Sequence, residues 1–76
     1  MQIIKQKRTY WRVEPGSTAL PYASLELTND YDNDRKWTRG WHVRLRNAGT
    51  GTIISHCGVY PTKDAAATAA TALLTR

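Results

Sequence analysis

Cationic side chains recur at every second position in the stretch His42-Val43-Arg44-Leu45-Arg46. A strand sends successive side chains to opposite faces, so Trp41, Val43 and Leu45 would face a core while His42, Arg44 and Arg46 line the wet side. The planar guanidinium fork matches phosphate oxygens and the acceptor edge of guanine. A row of such groups on an exposed sheet suits a negatively charged ligand. The competing assignment is a solvated face whose arginines pair across strands with Glu26 or Glu14, pairs that contribute only ~0.2–1 kcal/mol each.

The same alternation adds Arg8, Tyr10 and Arg12 from an N-terminal strand, Tyr22, Ser24 and Glu26 from a second, and Ile54 and His56 from a fourth. Four arginines and two tyrosines then stand against one glutamate. Tyr10 and Tyr22 offer rings on which unpaired bases stack. In the polar stretch "NDYDNDRKWTRGW", the cations Arg35, Lys36 and Arg39 suit a flanking phosphate backbone. Trp37 is either an exposed anchor for a base or protein partner, or a plug for the end of the sheet.

Other chemistries fit less well. Asp30, Asp32 and Asp34 alternate like the first ligands of a calcium loop, but Arg35 stands where that loop needs glycine and Trp41 where it needs a bidentate glutamate. His42, His56 and Cys57 lack a fourth zinc ligand at a usual spacing, and on one strand Cys57 faces away from His56. No nucleophile, base and orienting group stand together, and Gly49-Thr50-Gly51 lacks the lysine and following helix of a phosphate loop. No enzyme activity, metal or cofactor is expected.

Four strands and a helix must position these groups. Residues 2–14 read as one strand with untidy alternation, and Pro15-Gly16-Ser17 as a turn. Residues 22–28 form a second strand with Ala23, Leu25 and Leu27 inward. A polar loop over 29–40 leads to a third strand, 41–46. Two glycines in residues 47–51 mark a hairpin, and residues 52–60 form a fourth strand burying Ile53, Cys57 and Val59. Thr62 caps a helix with Asp64 in its first turn, and Ala66, Ala69, Ala70, Leu73 and Leu74 make its apolar stripe. The expected fold is α+β, a four-stranded antiparallel meander (β-β-β-β-α) covered on one face by a C-terminal helix.

The chain has 76 residues, the size of a single domain spanning 1–76, and 11 Lys+Arg against 6 Asp+Glu give a net charge of +5. That balance bears on partners rather than on fold. Cys57 is the only cysteine, which excludes an internal disulfide and fits a reducing compartment. Neither a signal peptide nor an apolar run of membrane-spanning length is visible, so a cytoplasmic location with no membrane partner is expected.

From Trp41 onward the chain resembles the three-stranded-sheet-plus-helix DNA-binding domains at the N-termini of phage-type tyrosine integrases. Trp41, Val43 and Arg44 match their strand, Gly49 their hairpin, and Thr62, Lys63 and Ala66 their helix entry. The resemblance covers residues 41–74 and implies a sheet lying in the major groove, with DNA contact by His42, Arg44 and Arg46. The same region is similar to short bacterial repeats of unknown function, through Gly51, Ile54, Ser55 and Tyr60.

The expected function is therefore a small nucleic-acid-binding module, duplex DNA preferred, of the kind a phage or mobile element encodes as an accessory protein. Its binding residues would be Arg8, Tyr10, Arg12, Arg35, Lys36, Trp37, Arg39, His42, Arg44 and Arg46 on and around the helix-free face. On this reading, replacing Arg44 and Arg46 by alanine weakens binding and leaves the melting temperature nearly unchanged. The alternative is a protein-binding accessory, such as a phage-encoded inhibitor docking on an acidic host protein. Homodimerisation through a sheet edge is a further expectation.

Overall fold

A computed structural model describes residues 2–16, 20–31 and 34–75. Five strands, β1 (Gln2–Lys7), β2 (Tyr10–Glu14), β3 (Tyr22–Tyr31), β4 (Trp37–Arg46) and β5 (Ile53–Tyr60), precede α1 (Lys63–Leu74). Each strand pairs antiparallel with its sequence neighbour, giving the order β1-β2-β3-β4-β5.

The odd-numbered residues of β2, β3 and β4 supply the core: Val13, Ala23, Leu25, Trp41 and Val43 meet Ala66, Ala67 and Ala70 of α1. Trp11, Leu27, Cys57, Tyr60 and Leu74 pack around them. Alanines on the inner helix face let α1 lie close on β2 to β5. Thr62 Oγ1 accepts the Ala65 N–H at 3.1 Å, and Asp64 sits in the first turn, as the capping pattern requires.

Three expectations need correction. The N-terminal strand is two strands, so the meander has five members. The chain reverses at Arg8-Thr9, and the register slips between Lys5 and Lys7. The Leu27 N–H donates to the Thr9 carbonyl at 2.8 Å and ties this turn to β3. Arg8 therefore occupies an exposed turn rather than the sheet face.

The expected polar loop over 29–40 is mostly strand. β3 and β4 stay paired through Thr28↔Gly40, Asn29↔Arg39, Asp30↔Thr38 and Tyr31↔Trp37. Their outer neighbours stop earlier, β2 at Tyr10↔Glu26 and β5 at Trp41↔Tyr60. The last four β3–β4 pairs thus project from the sheet as a two-stranded ribbon, about 14 Å long at ~3.4 Å per residue. Gly40 marks its base, where a Cβ would stand 2.7 Å from Val59 Cγ1 and 3.0 Å from the Tyr60 carbonyl oxygen.

Strand β5 carries two irregularities opposite Val43/Arg44 and Leu45/Arg46. They place Ile53 opposite Arg46 and Val59 opposite His42, on the side away from α1. Only Cys57 of the expected trio packs on the core, and Ile53 remains 48% exposed. The outer strands are β1, which carries Lys5 and Lys7, and the bulged β5, both features that discourage edge pairing. Among the described residues no helix is long and apolar enough to cross a membrane.

Candidate nucleic-acid interface

Strand register brings Tyr10, Arg12, Tyr22, Ser24, Glu26, His42, Arg44, Arg46 and His56 to the sheet face opposite α1. Once there, the side chains use their polar groups on one another. Arg44 is only 7% exposed; its Nη1 donates to Glu26 Oε2 at 3.2 Å and its Nη2 to Asp30 Oδ2 at 2.6 Å. Arg46 Nε donates to Ser24 Oγ at 3.0 Å and Nη1 to the Gly51 carbonyl at 2.8 Å. The Arg12 guanidinium lies 3.9 Å over the Tyr22 ring and 3.3 Å from Glu14 Oε2. Arginine stems thereby cover a second, polar layer in which Tyr22, Ser24 and His42 are buried.

The expected approach of Arg44 and Arg46 to base edges or phosphates meets side chains already engaged within the protein. A guanidinium already paired with two carboxylates has its charge compensated, and a phosphate approaching it meets Glu26 and Asp30 as well. The cross-strand partner Glu26 and the neighbouring Glu14 are the ones the solvated-face assignment named. Tyr22, beneath Arg12 and 9% exposed, is closed to a stacking base.

The two histidines form a directed chain. His42 Nε2 lies 2.8 Å from the Thr38 carbonyl, which only accepts, so this nitrogen carries hydrogen. For uncharged rings His42 Nδ1 then accepts from His56 Nε2 at 3.0 Å, leaving His56 Nδ1 to accept the Gly58 N–H at 3.4 Å. His42 is fully buried, so it serves the face internally and does not meet a ligand. Neither ring belongs to a metal-ligating cluster, and none is present among the described residues.

Asp30, from the expected acidic triplet, anchors the β3 end of the ribbon. Its Oδ1 accepts the Tyr31 N–H at 2.7 Å, which holds the carboxyl below its ordinary range; Arg44 adds to this, against partial desolvation. Asp32 lies outside the described residues. Arg35, where a calcium loop needs glycine, adopts φ +63° in the ribbon turn.

Five exposed cations lie at the ribbon end of the sheet. Arg35, Lys36 and Arg39 are exposed there, and the Thr9–Leu27 bond sets exposed Lys7 and Arg8 beside the ribbon base. Trp37 is 63% exposed and Tyr31 59%, with ring centroids 5.1 Å apart and planes at 78°. Trp37 is thus an exposed group rather than a plug. By alternation from Trp41 and Leu27, Asn29, Tyr31, Trp37 and Arg39 share one ribbon face. Elsewhere, Lys63 and the exposed Lys5 place their Nζ atoms 4.5 Å and 5.8 Å from the Trp11 ring.

Sequence reasoning missed Tyr31 and Lys7. Continuing the register from Leu27↔Trp41 by four pairs would have set Tyr31 against Trp37. No family model matches this chain, and neither does any curated protein or solved structure.

Proposed function

We propose that this chain is a small, non-enzymatic nucleic-acid-binding module whose ligand-facing element is the β3–β4 ribbon, not the arginine-bearing sheet face. One observation carries the reading: Lys7, Arg8, Arg35, Lys36 and Arg39 are all exposed at one end of the sheet, around a projecting two-stranded element. Asp34 is the exposed acid among the described residues of that tip. A two-stranded ribbon fits the major groove of duplex DNA, about 12 Å wide, and cations at its sides and base reach the flanking phosphates. The resemblance of residues 41–74 to integrase arm-type domains favours the same ligand through a different surface. A role as an accessory protein of a phage or mobile element belongs to this proposal.

Titration of a labelled duplex at several salt concentrations tests it. Neutralising about five phosphates gives a slope of log K against log salt near −4 to −5, and removing Arg35 and Arg39 together flattens it by roughly 2. Absence of binding at low salt, or binding indifferent to salt, overturns the reading. The exposed Trp37–Tyr31 pair favours a second reading, docking on an acidic protein, because aromatic residues and arginine dominate protein hot spots. A single stoichiometric partner recovered from nuclease-treated lysate, lost in Trp37→Ala, supports that alternative.

A further inference from the structure

Tyr31 and Trp37 close the described part of the ribbon with more than half of each residue in water. Neither belongs to the core cluster of the described residues or packs against it. Helix α1 starts after Tyr60, whose partner is Trp41, four positions back from Trp37. Two large rings kept in solvent on a paired, hydrogen-bonded ribbon forgo burial that folding normally secures. Their edge-to-face contact lets one ring brace the other, and Trp37, 63% exposed, keeps aromatic surface in solvent beside it.

An uninterrupted duplex has little use for such a face. Each of its bases is covered above and below by neighbours, so a protein meets only edges and phosphates. An aromatic face gains a partner where a base is unpaired and out of the stack. Arg35 and Lys36 precede Trp37 and Arg39 follows it, so a base on the ring would have its neighbouring phosphates within reach of cations. Resting on the nucleic-acid reading above, we propose that Trp37, braced by Tyr31, is a stacking platform for an unpaired base. The preferred ligand is then a duplex carrying an extrahelical base.

Two labelled probes test this with the full chain: an uninterrupted duplex, and the same duplex with one extrahelical adenine. The wild type is expected to bind the interrupted probe about ten-fold more tightly. Trp37→Ala should erase that preference, bringing the two probes to equal affinity, while Trp37→Phe keeps part of it. An unchanged melting temperature confirms that both variants fold. Equal affinity of the wild type for the two probes, with the salt dependence intact, overturns the platform and leaves the proposed function standing. Failure to bind either probe at low salt overturns both.

Discussion

Replacing Arg44 by alanine separates a ligand-binding arginine from a structural one. The side chain is 9% exposed, and its partners Glu26 and Asp30 are 35% and 46% exposed. Charge-assisted hydrogen bonds contribute about 1.5–3 kcal/mol when shielded, but solvent reaches both carboxylates and rehydrates them once the guanidinium is gone. The Glu26 contact is therefore discounted to ~1 kcal/mol, the solvent-screened Asp30 contact adds to it, and the lost packing of the aliphatic stem adds about another. The expected cost is ~2–3 kcal/mol, a large share of the roughly 4–11 kcal/mol of a domain this size. At about 4–8 °C per kcal/mol, the melting temperature falls by ~10–20 °C. Arg44→Met restores the stem and recovers about 1 kcal/mol, while Arg39→Ala on the ribbon stays within ~0.5 kcal/mol of wild type. Differential scanning calorimetry reads all three. A melting temperature for Arg44→Ala close to that of wild type would refute the buried-clamp assignment and restore the arginine to the pool of ligand-facing cations.

Other perturbations follow from the same geometry. Asp30 has a folded carboxyl below its ordinary 3.8, so its contribution to stability is present above that value and disappears as pH falls through the folded one. Between pH 6 and pH 3 wild type should therefore lose more stability than Asp30→Asn in denaturant titrations, and equal losses would contradict it. Gly40→Ala should cost about 1–3 kcal/mol because its Cβ meets Val59 and the Tyr60 carbonyl. Gly16→Ala, where nothing lies within 4 Å, is the control and should be near neutral. Long-range nitrogen–proton NMR spectra above pH 8 should show hydrogen on Nε2 of both histidines, and a Nδ1–H tautomer at His42 would break the proposed chain.

The helix and the inner two strands were legible because burial on one side imposes contrast. Ala23, Leu25, Leu27, Trp41 and Val43 alternate with polar residues since one face meets α1. Thr62 and Asp64 announce the helix by local chemistry alone. The ribbon was hidden for the opposite reason. Residues 28–31 and 37–39 contribute nothing to the core cluster, so no apolar period marks them and they read as loop. The β1–β2 reversal at Arg8-Thr9 contains no glycine, proline or asparagine, and the slip between Lys5 and Lys7 scrambles the alternation around it. Bulges in β5 likewise moved Val59 and Ile53 off the expected face. Parity placed Arg12, Arg44 and Arg46 on one face, but whether a carboxylate waits there depends on register, which a single strand does not encode. Asp30 reaches Arg44 only because the ribbon pairs beyond Thr28.

Mapping amide shifts of the labelled protein while adding a short DNA duplex tests the central claim most directly. The account predicts perturbations concentrated at Lys7, Arg8 and residues 34–39, with Arg12, Arg44 and Arg46 little changed. Shifts centred on those three arginines, with the ribbon silent, would contradict it.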